Sequence, residues 1–174
     1  MSDKTSISLK TSLTALCMLS LIVCTSARAD GWVEVGYELA IDSLTDPSNE
    51  FAALGMRFNY ANDSNLYTLS YREGYESSNF FFDETSFKEI TVAYGRHSAY
   101  KFGATTIQMG LGIREYGESS SGDNEFSGST FFVPVSASFI LGKYSGLSNS
   151  IYLNISRENP TIGIGFGYAV GIFN

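Results

Sequence analysis

Three carboxylates, Glu34, Glu38 and Glu89, and three guanidiniums, Arg57, Arg72 and Arg114, are the residues best placed to do chemistry together. Each has a large apolar or aromatic residue on at least one side, as in Val33-Glu34-Val35 and Met56-Arg57-Phe58. In an extended chain alternate residues share a face, so these charges fall on one face and the bulky residues on the other. Three against three is neutral, which suits ion pairing in an enclosed space, where each charge needs a partner. Pairing successive strands about their loop midpoints brings Glu34 near Arg57 and puts Glu89 between Arg72 and Arg114. Such an interior network reads either as an ion path or as a plug, and the plug is the expectation here.

The elements that would position these residues are strands. From Trp32 onward, bulky and small or polar residues alternate with regular punctuation, predicting strands over 32–40, 51–60, 66–75, 87–96, 105–116, 130–141, 148–156 and 161–174. The last is the clearest, with Ile162, Ile164, Phe166, Tyr168, Val170 and Ile172 alternating against Gly163, Gly165, Gly167, Ala169 and Gly171. Its length suits a bilayer-spanning strand, for which about 9–11 residues are required. Connections at 42–50, 76–86 and 117–129 are long and polar, those at 61–64, 142–146 and 157–160 are short, and the one after strand four, through His97, Lys101 and Gly103, is of medium length. Pro134 would delete a ladder donor within strand six, so a bulge is expected there.

The fold class that follows is all-β: an eight-stranded antiparallel up-and-down transmembrane barrel. The polar face is mostly Gly, Ala, Ser and Thr with few charges, whereas a solvated surface is roughly a quarter to a third charged. That face therefore suits a narrow lumen, and the bulky face suits lipid. Tyr60, Tyr67, Tyr94 and Phe139 fall near one end, and Tyr37, Tyr71 and Tyr75 near the other, as two interfacial girdles. Arg96, Lys101 and Lys143 gather with His97 at the short-turn end. The long loops carry Asp42, Asp46, Glu50, Glu76, Asp83, Glu84, Glu118, Asp123 and Glu125 with no Lys or Arg, an acidic rim.

The chain has 174 residues, which suggests one domain after its leader. Lys4 and Lys10, an apolar run from Leu13 to Val23 and small residues at Ala27 and Ala29 read as a secretory signal peptide over 1–29, cut after Ala29. A lipoprotein signal at Cys24 lacks the small residue expected before a lipidated Cys. Both cysteines, Cys17 and Cys24, lie in that leader. Taking three basic and one acidic residue from totals of 11 and 18 leaves 8 against 17, a formal charge of −9 for residues 30–174. Nucleic acid is a poor partner for such a chain.

In pattern the sequence resembles the small eight-stranded outer-membrane proteins of Gram-negative bacteria, the group containing the OmpA-type transmembrane domain. The most specific piece is Thr161-x-Gly163-x-x-Phe166-x-Tyr168, similar to the signal by which the barrel assembly machinery recognises its clients. Members usually end on an aromatic residue, and here Phe173 is followed by Asn174. The resemblance implies an outer-membrane address reached through a Sec signal peptide, a monomer, and contact with outer-membrane lipid and lipopolysaccharide. It also implies a structural or surface-interaction role, and the acidic rim by its charge suits a cationic or host-surface ligand.

Other readings are weighed against this one. Some similar barrels are enzymes acting on lipid A with Ser and His at the outer rim, and a Ser nucleophile needs a base within reach. His97, the one histidine, is expected in a turn about 30 Å from Ser119, Ser120 and Ser121. No catalytic residue, metal site or cofactor is therefore expected, and no loop has an EF-hand-like spacing for Ca²⁺. A soluble lipocalin-like carrier of an apolar ligand would need the bulky face to line a cavity.

Overall fold

The computed structural model describes residues 30–41, 50–77, 84–118, 126–156 and 160–173. Eight strands follow one another in chain order: β1 (Asp30–Ile41), β2 (Glu50–Asn62), β3 (Asn65–Ser77), β4 (Glu84–Tyr100), β5 (Gly103–Glu118), β6 (Phe126–Leu141), β7 (Ser145–Ser156) and β8 (Thr161–Gly171). Each pairs antiparallel with the next, and β8 returns to β1, so the sheet is a closed up-and-down barrel. The expected class, order and number of strands all stand, though β1 to β7 run further than the alternation alone suggests and β8 stops at Gly171, short of the expected 174.

The register sets the shape. Following partners once around, from Asp30 through Ala61, Leu66, Gly95, Gln108, Ser136, Tyr152 and Gly163, the path returns to β1 at Ala40, ten residues further on. With about 3.3 Å per residue and 4.8 Å between strands, that stagger tilts the strands by roughly 40°. On β4 the outward Ile90, Val92 and Tyr94 lie between Lys88 and Arg96. Eight residues at that tilt make an apolar band of about 20 Å, near the height that small membrane barrels present to lipid.

Sidedness follows the alternation. Ile164, Phe166 and Tyr168 are about half exposed on the outer face, as are Val35, Leu69, Val92, Met109 and Ile151. All seven girdle aromatics also face outward, and Tyr67 packs against Tyr60 at 6.2 Å and Tyr94 at 5.3 Å between ring centroids.

Two expectations are corrected. No register shift occurs at Pro134: the ladder between β5 and β6 passes from Met109 opposite Val135 to Gly112 opposite Phe132 at constant offset, and the shift lies at Tyr116/Gly117. Losing the proline donor removes rungs without adding a residue. His97 is not in a turn, because β4 continues to Tyr100 and pairs with β5 until residues 101–102 make a tight turn. His97 thus takes an inward position and is buried. The connections after β2, β4 and β6 are then all short, and they define one rim. Asp63 adopts φ 54° in the first of them, a conformation that a short polar side chain tolerates.

Candidate functional site

The lumen is the candidate site. The register sets Glu34 opposite Arg57, Arg72 opposite Glu89 and Glu89 opposite Arg114. Side chains extend these pairs into a continuous chain. Arg57 Nη2 donates to Glu38 Oε1, and Arg72 Nη1 to Glu38 Oε2. Arg72 also donates to Glu89 through Nη2 and, at 2.7 Å, through Nε. Arg114 Nε donates to Glu89 Oε2 at 3.1 Å. Arg57 Nη1 stands 3.9 Å from Glu34 Oε2. All six charges are thereby linked, with Arg72 bridging two carboxylates. Charged partners of this kind offset a desolvation cost of several kcal/mol per ion.

Glu34 is held chiefly by neutral donors. Trp32 Nε1 donates to its Oε1 at 2.8 Å and Asn59 Nδ2 at 3.0 Å. From Asn59 the polar contacts run across the barrel: Thr68 Oγ1 lies 2.8 Å from Asn59 Oδ1 and 2.6 Å from Gln108 Oε1, and its one proton serves one of them at a time. Gln108 Nε2 then donates to Ser136 Oγ at 3.1 Å. Two cavities, of about 20 and 30 Å³, lie among these residues on either side of Arg57. A small-molecule pocket takes roughly 300–1,000 Å³. Neither space suits an apolar ligand of the lipocalin kind.

Apolar clusters lie above and below this polar middle. At the short-turn rim Trp32, Leu66, Ala104, Ile140, Ala169 and Phe173 pack together, with the His97 ring 5.2 Å from Trp32. At the loop rim Phe51 stacks on Phe87 at 4.4 Å, beside Ala40, Ala53 and Tyr152. The Arg114 guanidinium lies 5.0 Å from the Phe51 ring, 5.2 Å from Phe87 and 5.6 Å from Phe132. Cation–π contact thus holds the face of an ion whose edge is held by Glu89. These inward aromatics were not assigned from sequence. The signal available was parity, since Trp32, Phe51, Leu66 and Phe87 occupy lumen positions in their strands.

The residues of the terminal signal separate by face. Thr161 and Gly163 are buried, and Phe166 and Tyr168 point outward. Phe173 turns into the lumen against Trp32, at 5.8 Å between centroids. Gly171 permits this with φ 150°, after which Ile172 N donates to the Gly31 carbonyl at 2.9 Å. Ala27 and Ala29, Ser119 to Ser121, and Asp42, Asp46, Asp83, Asp123 and Glu125 lie outside the described residues, as do the side chains of Glu50, Glu76, Glu84 and Glu118. Among the described residues no group of three or more His, Cys, Asp or Glu could hold a metal ion.

No protein-family profile matches the chain, and no curated protein does. Solved structures do. Neisserial surface protein A (NspA) superposes with a TM-score of 0.63 at 10% identity, covering 83% of this chain and 97% of that one. Ail, the attachment invasion locus protein of Yersinia pestis, solved with the heparin analogue sucrose octasulfate, gives 0.59 at 13% identity, with 83% and 99% covered. The N-terminal β-barrel domain of Pseudomonas aeruginosa OprF gives 0.55 at 12% identity, with 81% and 97% covered. The fold is thus that of the small eight-stranded outer-membrane barrels.

Proposed function

We propose that this chain is an integral outer-membrane barrel of a Gram-negative bacterium, with a plugged lumen and a structural or surface-interaction role carried by its loops. The carrying observation is the division of the wall: an apolar outer band, and an inner face of linked charges between two apolar clusters. A conducting path needs polar groups from rim to rim, and the clusters interrupt that series. Residues 1–29 act as a Sec signal peptide, and the terminal Thr161-x-Gly163-x-x-Phe166-x-Tyr168 serves the assembly machinery, with Phe166 and Tyr168 as the aromatics accessible from outside.

Loop charge decides what class of partner fits. Ail was solved with a polyanion, whereas the three long loops here carry nine acidic residues and no basic one. A polyanion would be repelled and a cationic peptide or surface attracted. A catalytic role finds no support at His97, whose ring is buried against Trp32 at the opposite rim from the loops.

Residues 30–174 refolded into detergent should migrate on unboiled gels at an apparent mass different from that of the boiled chain. In planar bilayers they should give no conductance steps above leak. A soluble chain without a gel shift overturns the membrane reading, and regular steps overturn the plug.

A further inference from the structure

The outer wall is not uniformly bulky. On β6 to β8 the rows of large side chains are broken at Ala137 and Asn149, leaving a groove of about 470 Å³. Asn149 pairs in register with Phe139 on one side and Phe166 on the other, so two rings wall the groove at that level. Ala137 pairs with Ile151, and Ile151 with Ile164, which carries the trough toward the middle of the band.

Its polar end is defined by two observations. The Asn149 side chain forms no hydrogen bond among the described residues, although it stands on the face that meets lipid. A bare amide in hydrocarbon costs several kcal/mol unless something there accepts from it. Allowing for strand tilt, Asn149 lies at the height of Tyr67 and Tyr94, the aromatic girdle of the short-turn rim. Below it, Lys101 in the turn opening β5 and Lys143 in the turn joining β6 to β7 are exposed. Each ammonium lies 5.3 Å from the ring of the following residue, Phe102 or Tyr144, and neither forms an ion pair among the described residues. Lys143 lies four positions beyond Phe139, at most about 13 Å of extended chain, a span that a lysine stem and a phosphoglycerol bridge between them.

We propose that this groove binds an anionic glycerophospholipid of the leaflet at the short-turn rim. Its phosphate lies between Lys101 and Lys143, an ester oxygen accepts from Asn149 Nδ2, and an acyl chain follows the trough over Ala137. The proposal rests on the outer-membrane reading. A second copy is the competing occupant, and a two-fold contact there would bring like-charged lysines to the same rim.

The test is native mass spectrometry of the barrel refolded with equal phosphatidylglycerol and phosphatidylcholine and released from micelles. One retained phosphatidylglycerol per barrel is expected, in preference to phosphatidylcholine. Lys101→Gln and Lys143→Gln should each lower retention about fivefold. Ala137→Phe should abolish it with the gel shift intact, and Asn149→Leu should weaken it without disturbing the fold. Val92→Phe, on β4 away from the groove, should leave it unchanged. A folded barrel with no lipid preference, an adduct indifferent to Ala137→Phe, or dimer masses in place of the adduct would overturn the site. Absence of the gel shift in the unaltered chain would instead overturn the membrane reading.

Discussion

Strands β1 to β5 send all six network charges into the lumen, whereas the inward positions of β6 to β8 between the two apolar clusters hold mainly Ser136, Ser138, Ser148, Ser150, Gly163, Gly165 and Gly167. One side of the wall fills the space and the other makes room for it. Arg57 reaches across until its Nη2 is 3.4 Å from Ser150 Oγ, and a Cβ on Gly165 would come within 3.2 Å of Glu38 Cγ. In an eight-stranded barrel the interior is just wide enough for side chains, so long residues on one wall require short ones opposite. The charged side should therefore fail by losing partners, and the uncharged side by losing space.

Substitutions separate these failures. Arg72→Leu strips the bridge from both Glu38 and Glu89 and should destabilise the barrel by about 3–5 kcal/mol, read as a lower urea midpoint in lipid vesicles. Adding Glu38→Gln to it should recover part of that loss, because the lumen is neutral again while Arg57 keeps Glu34 and Arg114 keeps Glu89. An Arg72→Leu barrel as stable as the parent would mean that the ion chain contributes no cohesion. On the roomy side, a Cβ on Gly163 would lie 2.5 Å from Tyr152 Cζ and 2.6 Å from the Leu39 carbonyl oxygen. Gly163→Ala should cost about 1–3 kcal/mol by overpacking, although it alters no polar group. Ser150→Ala should be the mildest, at about 1 kcal/mol or less, since Arg57 keeps Glu38 and only a long contact is lost. A larger loss at Ser150 than at Gly163 would reverse the assignment of roles.

Much of this arrangement is legible from alternation alone. Parity places the six charges on one face and Ile164, Phe166 and Tyr168 on the other, and hairpin midpoints give the neighbours of Glu34 and Glu89. Glu38 shows where that reasoning stops. Its register partners are Ala53 and Gly165, and the arginines it meets arrive diagonally because their side chains are long. The inward aromatics escape notice for a different reason. Reading polarity as sidedness works in mid-band, but near the rims Trp32, Phe51 and Phe87 are apolar and inward, so parity holds while polarity reverses. His97 was misplaced because Ser98 and Ala99 carry no bulky alternation, although the backbone ladder continues through them.

Closure through β1 and β8 bears on how the barrel is made. Contacts such as Trp32 opposite Gly171 join the first strand to the last, so both carry an open row of amides and carbonyls until the whole chain has arrived. Partners so distant in the chain make for slow folding with sticky unfinished forms. A chaperone escort, and a catalyst that shields both raw margins during insertion, would serve this chain more than any gain in final stability.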